Sequence, residues 1–209
     1  MKNPNNPSNP LLLSWFMAGM CSVFAAMAKE QQDWIKIHAP HDEVFSCIEH
    51  WDGQFNHVGD ALGTDCVIQA WYQHKDRMFV RSFEKRGHRN KDWFGYGKAV
   101  LAPCDCEVEA TFTNPKTNRP GIMQPGKAST ITFKNEAGIR ILYAHVDDIQ
   151  VKPGDVVRAG QTVAKVGNNG FSRNPHLHIG AWQGEQPLQI RFDQKSLQLK
   201  SRKQSVVRY

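Results

Sequence analysis

Hydrophobic and polar residues alternate with a period of two through much of this chain, and the spacing of an amphipathic helix is almost absent after residue 50. Side chains of a strand point to opposite faces in turn. The runs Met78 to Phe83, Glu107 to Phe112, Ser129 to Phe133 and Arg140 to Ala144 therefore predict half-buried strands, and Asp65 to Trp71 and Ala99 to Ala102 follow the same pattern. Turn residues cut the stretch 151–170 into short apolar pieces at Pro153-Gly154-Asp155, Ala159-Gly160 and Asn168-Asn169-Gly170, as in compact antiparallel structure. Near the start, Trp34 to His38 predicts a short strand, and Asp42 to Ile48 predicts a turn or two of helix capped near Asp42. Asn114 to Gly126 is a long loop rich in Pro, Gly and Asn, either a wall beside a groove or a plain exposed insertion. The expected fold is all-β: a compact antiparallel sheet or barrel-sandwich domain with a short N-terminal extension.

The first 28 residues differ in kind. A polar start is followed by the apolar stretch Leu11 to Phe24 and then Ala26-Met27-Ala28. The stretch is short for a bilayer span and ends in an Ala-x-Ala pattern, so residues 1–28 are expected to be a signal peptide, removed on export to the periplasm or beyond, with an uncleaved anchor as the alternative. No stable membrane insertion is expected after cleavage. Loss of Lys2 leaves 25 basic against 20 acidic side chains, a positive balance that suits an anionic cell envelope. The basic residues gather in the tail 193–209 (Lys195, Lys200, Arg202, Lys203, Arg208) without any nucleic-acid module, so a solvated end is expected and nucleic acid is not a predicted partner. Cys47, Cys66, Cys104 and Cys106 remain after cleavage, an even number that permits disulfides in an oxidising compartment. Of the three full pairings, the one joining Cys104 to Cys106 is the least expected, because alternate positions of an extended segment place their sulfurs poorly.

The candidate chemistry centres on Asn174-Pro175-His176-Leu177-His178-Ile179-Gly180. In a strand both imidazoles face one way while Leu177 and Ile179 face the other, and imidazole is a common zinc ligand. The bland alternative is two ordinary core or surface histidines. Upstream lie Tyr143-Ala144-His145, then Val151-Lys152-Pro153-Gly154-Asp155-Val156-Val157-Arg158-Ala159-Gly160-Gln161, then Gly167-Asn168-Asn169-Gly170. With the Pro-His-Leu-His motif, that order resembles the lysostaphin-type zinc metalloendopeptidases, bacterial enzymes that cut peptide cross-links in peptidoglycan. The resemblance spans residues 57–192, with 29–56 as an N-terminal extension. Tyr96 to Val108 is similar to the family's strand-turn-strand, with Cys106 where a turn glycine is usual, which marks a changed turn or a disulfide. Residues 151–170 also resemble a biotinyl or lipoyl carrier, but the lysine at a hairpin tip that such carriers need is missing.

The resemblance implies a Zn²⁺ ion held by a histidine, an aspartate and His178, with His145 and His176 as the catalytic histidines acting on a peptidoglycan peptide. It also implies a runner-up, a catalytically inactive relative that binds the envelope or activates an amidase. Two pairs compete for the other ligands. His57 and Asp65 sit among glycines with no lysine or arginine nearby, and Asp65 opens an apolar strand. His88 and Asp92 have the commoner His-x-x-x-Asp spacing, but Arg86, Arg89 and Lys91 surround them and would repel a dication. His57 and Asp65 are preferred. Trp93, Phe94 and Tyr96 are candidates to line a groove, and His38, His41, His50 and His74 are expected to be structural or exposed.

Overall fold

A computed structural model describes residues 33–197 and the backbone of Val206–Arg208. The leader expected over 1–28 and the rest of the tail lie outside the described residues. The strands are β1 (Trp34–Ile37), β2 (Phe45–Glu49), β3 (Thr64–Ile68), β4 (Ala70–His74), β5 (Arg77–Arg81), β6 (Ala99–Leu101), β7 (Cys106–Phe112) and β8 (Thr130–Lys134). They continue as β9 (Arg140–Ala144), β10 (Val146–Asp147), β11 (Val156–Val157), β12 (Thr162–Val166), β13 (Leu177–Gln183), β14 (Gln186–Pro187), β15 (Gln189–Phe192) and β16 (Val206–Arg208). A single 3₁₀ turn at Asn90–Asp92 is the one helical element among the described residues.

The all-β expectation holds. The main sheet runs β11-β7-β8-β9-β13-β3-β2, with β14 added to β13, and every pairing in it is antiparallel. A small sheet, β10-β12-β6, covers one of its faces. The period-two pattern explains the layering. Ile131 and Phe133 of β8, Ile141 and Tyr143 of β9, and Leu177 and Ile179 of β13 point inward and are fully buried, meeting Val100, Val146, Val163 and Val166 from the small sheet. The alternate positions of the same strands, Thr130, Thr132, Leu142, Ala144, His178 and Trp182, line a groove on the other face. One face is thus a dry core and the other a binding surface.

Three features depart from the sequence expectation. The stretch after Asp42 is a strand, not a helix: β2 pairs residue for residue with β3 from Phe45↔Ile68 to Glu49↔Thr64, and this pairing outweighs local propensity. Cys104 does pair with Cys106, because the chain bends at 103–105 instead of staying extended, and the Cα atoms come to 5.4 Å. The second disulfide joins Cys47 to Cys66, directly opposed in the β2–β3 ladder with Cα atoms 4.1 Å apart. In the tail, Val206–Arg208 adds a parallel strand to β4, so this part of the basic end is backbone-paired.

The segment before residue 57 is part of the same architecture: β1 pairs in parallel with β15, and β2 edges the main sheet. Gly180 in β13 is what allows residues 57–63 to lie on this sheet, because a Cβ there would overlap the Gly59 carbonyl. Gly180→Ala is expected to push that loop away and cost about 1–3 kcal/mol, the usual range for overpacking. Equilibrium urea unfolding of the metal-free chain would measure it, and an unchanged midpoint would show that the loop accommodates the methyl group freely.

Candidate metal centre and catalytic histidines

Strand register assembles the site. His178 of β13 lies opposite Asp65 of β3 on one side and opposite Ala144 of β9 on the other. Residues paired across a ladder share a face, so Asp65 and His178 both look into the groove, His178 Nδ1 lying 2.9 Å from Asp65 Oδ1. His176, two residues before His178, points the same way, its Nε2 3.6 Å from the same oxygen. In β2, Ile48 pairs with Asp65, and His50 follows with the same parity, stacked on His178 at 5.3 Å between ring centroids. Its Nε2 is 3.6 Å from Asp65 Oδ2.

His145 reaches the groove by a different device. It sits between β9 and β10 with φ of 62°, a left-handed conformation uncommon for a residue with a Cβ and found preferentially at functional sites. The turn is fixed by Gly167, whose N–H donates to the His145 carbonyl at 3.0 Å. Gly167 has to be glycine, because a Cβ there would come 2.7 Å from that oxygen. The His145 ring lies 4.5 Å from that of His176 and 6.2 Å from that of His178.

Backbone carbonyls set the tautomers, since a carbonyl oxygen can only accept. His145 Nδ1 donates to the Asn169 carbonyl at 2.8 Å, His176 Nδ1 to the Asn174 carbonyl at 2.8 Å, and His50 Nδ1 to the Asp60 carbonyl at 2.7 Å. Each neutral ring therefore presents a bare Nε2. The carbonyls are themselves held: Asn169 accepts from Ser129 N–H and donates to the Val146 carbonyl, while Ser172 Oγ lies 2.9 Å from both Asn168 Oδ1 and the Asn174 carbonyl. Asn118 ties the long loop to this segment by donating to the carbonyls of Gly170 and Ser172, and Met123 and Gly126 of that loop wall the groove.

Electrostatics follow from the crowding. Burial works against a charged His178, but Asp60 and Asp65 outweigh it and raise its pKa to about 9; Asp60 Oδ1 lies 3.1 Å from Nε2. Burial also opposes a charged Asp65, yet the neighbouring rings of His176 and His178 hold it well below the usual carboxylate range. Burial, and then the charge of His176, lowers His145 to about 3, so this ring stays neutral. Asp60 is lowered by His178.

The donor atoms fit a metal ion of the zinc type. His50, Asp65 and His178 each offer a ligand atom, all within 4.8 Å of one another, two imidazoles and a carboxylate with one side open to the groove. The bare Nε2 atoms of His50 and His176 both face Asp65 oxygens, acceptor against acceptor, an arrangement that a cation or a proton between them relieves.

Of the residues singled out in the sequence, His145, His176, His178 and Asp65 all line one groove. His57 stands at the groove rim, its side chain 70% exposed and its Nδ1 3.5 Å from Asp60 Oδ2, outside the donor triad. His88 and Asp92 join no donor cluster among the described residues, and Asp92 is engaged by Arg89 at 2.9 Å. Trp93, Phe94 and Tyr96 do not line the groove: Trp93 packs on Phe83 and donates to the Gly87 carbonyl, and Phe94 packs on the core. Sequence reasoning missed His50, Asp60, Asn169 and Ser172. His50 was hidden by the helix expectation, which scrambles strand parity; the dense run of amide and hydroxyl side chains from Asn168 to Asn174 was the available signal for the other loop.

The profile described as Peptidase family M23 matches residues 86–190, half of the chain. It begins after β3, so Asp65 and His50 lie upstream of the matched segment. Glycyl-glycine endopeptidase ALE-1 of Staphylococcus capitis is 35% identical over 95 residues, covering 44% of this chain and 24% of that protein. An uncharacterized metalloprotease of Haemophilus influenzae is 29% identical over 94 residues, covering 44% of this chain and 18% of its own length. The chain thus matches only about a fifth to a quarter of the length of these curated relatives. Among solved structures, a zinc containing peptidase from Vibrio cholerae superposes with a TM-score of 0.47 at 18% identity, covering 74% of this chain and 39% of that one. The catalytic domain of lysostaphin from Staphylococcus simulans gives 0.44 at 17% identity, covering 71% and 89%. With half its length matched, from residue 86 ahead of β6 to residue 190 in β15, the chain belongs to peptidase family M23.

Proposed function

We propose that this chain is a zinc-dependent endopeptidase that hydrolyses peptide cross-links of bacterial peptidoglycan. The observation that carries the reading is the convergence, on one groove face, of the His50, Asp65 and His178 donors with two further histidines whose Nε2 atoms are bare. A bound zinc would supply Lewis acidity and lower the pKa of a water toward neutrality. The groove, about 880 Å³, has apolar walls from Ile48, Phe55, Met123, Phe171 and Trp182 and positive charge from Lys127 and Arg173. His145, neutral and held by the Asn169 carbonyl, turns its bare Nε2 to the groove, where it can accept a hydrogen bond from the attacking water and orient it. A protonated His176 would have Asp65 as counter-charge 3.6 Å away and delivers its proton to the leaving nitrogen.

Membership of the family and the glycyl-glycine endopeptidase named among the relatives support the peptide substrate. Two disulfides and the apolar leader support an exported, periplasmic or secreted protein. No helix among the described residues is long and apolar enough to cross a membrane.

Incubation of purified sacculi with the protein, with and without a chelator, tests the activity: released muropeptides identified by mass spectrometry should vanish with the chelator. Sacculi left intact by zinc-loaded protein would point instead to an inactive envelope-binding or amidase-activating module.

The third ligand is a choice between two histidines. Geometry favours His50, while His57 has the sequence resemblance behind it and would need its side chain to swing away from Asp60. His50→Ala is expected to lower zinc per chain, measured by elemental analysis, while His57→Ala keeps it; the reverse result hands the role to His57.

His145→Ala and His176→Ala should retain zinc and lose about 10²- to 10⁴-fold in turnover, the usual contribution of general acid–base catalysis. Zinc loss in either variant would make that histidine a ligand.

A further inference from the structure

Every candidate metal donor other than His178 lies inside one covalent ring. The Cys47–Cys66 disulfide closes a loop of sequence separation 19, and that loop holds His50, His57, Asp60 and Asp65. Its first strand is held chiefly from within the ring, by the ladder with β3 and by the bonds of His50 to the carbonyls of Gly63 and Asp60. β2 is the edge of the main sheet, Ser46, Ile48 and Glu49 are exposed, and Ile48 is 73% accessible. Phe45 packs edge-on against Phe192 at the far end, away from His50. The disulfide lies in the middle of β2 and one residue from Asp65 in β3, so it fixes the register that puts His50 beside that carboxylate.

We propose that the Cys47–Cys66 disulfide is the positioning element of the metal half-site, and that its reduction releases the metal, making metal occupancy depend on thiol–disulfide state. The inference rests on the metal reading given above and holds whether the third ligand is His50 or His57, since the ring contains both. Strand parity keeps the sulfurs off the groove face. Cys47 opens onto a shallow cleft on the opposite side of the sheet, lined also by Lys36, Glu49 and Arg191, so an attacking thiolate can reach it without entering the catalytic groove. Lys36 and Arg191 place positive charge there, which favours an approaching thiolate. The chemistry balances with an external dithiol: its first thiolate attacks Cys47 Sγ, the Cys66 thiolate leaves and takes a proton, and the second thiol of the reagent releases Cys47 while the reagent becomes a disulfide. Removal of the cross-link restores conformational freedom to the loop that carries the ligands, so affinity falls because the ligands must be ordered by the ion itself. In a reducing compartment the chain would fold around a poorly held metal, and oxidation would complete the site.

The test uses the full chain and competition with a chromophoric chelator to measure zinc affinity. Cys47→Ala/Cys66→Ala is expected to bind zinc at least about tenfold more weakly, the scale of losing an outer support of a metal site. Cys104→Ser/Cys106→Ser, which removes the disulfide at the 103–105 bend, is expected to stay within about twofold of the wild type. Cobalt substitution gives a second readout, a changed ligand-field spectrum in the first variant alone. A well-folded Cys47→Ala/Cys66→Ala with wild-type affinity overturns the proposal, as does an equal loss in both variants, which would mark general destabilisation. If the first variant does not fold, brief phosphine treatment of the zinc-loaded wild type decides: zinc released in step with alkylation of Cys47 and Cys66 supports the proposal, and zinc retained after their alkylation overturns it. Oxidised wild type that takes up no zinc would overturn the metal reading itself, a result separate from any difference between the variants.

Discussion

The antiparallel pairing of β3 with β13 sets Asp65 opposite His178, and that one register organises the groove. Slipping the pairing by a residue would turn His178 into the core and bring Leu177 or Ile179 to the surface, so the apolar burial of those two residues enforces the position of the polar ones. The strength of the arrangement is therefore hydrophobic even though its purpose is polar. Full burial of a side chain the size of Leu or Ile is worth about 1.5–3 kcal/mol, more than an ion pair at the half-exposed Asp65 could supply against solvent screening.

The same register creates an electrostatic problem that defines the chemistry. Two carboxylates, Asp60 and Asp65, and three rings, His50, His176 and His178, crowd a partly buried space. Carbonyl acceptors at three of the Nδ1 atoms, those of His50, His145 and His176, leave Nε2 atoms without protons, and a site rich in acceptors attracts a cation. Without a metal, protonation of His178 meets the need, as its raised pKa reflects. A metal bound at this residue would compete with that proton.

Much of this was legible in the sequence because strands carry a simple code. Parity placed His176 and His178 together, turn residues divided 151–170 correctly, and the all-β class followed from the alternation alone. What was not legible depended on long-range pairing. His50 could be assigned to the groove only once Phe45–Glu49 was known to be a strand, and that strand exists because it pairs with β3. Local charge favours His57 and Asp65 as a pair, yet only Asp65 is fixed by a ladder, while His57 lies in a loop whose side-chain direction no periodicity determines. The Cys104–Cys106 pairing is hidden for a similar reason: the sequence pattern reads as an extended segment where the chain bends. Asn169 acts through its backbone carbonyl, and a carbonyl leaves no mark on the identity of the residue that bears it.

β13 thus joins two halves built in different ways. On one side β9, β13 and the segment 167–174 form a continuous unit in which amide side chains hold the loop whose carbonyls orient His145 and His176. On the other, the 47–66 ring brings its donors to His178 across a sequence separation of 113 residues. Closing so long a contact costs chain entropy before it is rewarded, and the edge strand that follows it buries little apolar surface. A covalent cross-link is the economical way to order such a segment, because it removes freedom from the unfolded chain without demanding a larger core. The half that carries His145 and His176 is ordered by packing and short-range hydrogen bonds, whereas the half that carries His50 and Asp65 adds a disulfide, a bond that forms in an oxidising compartment.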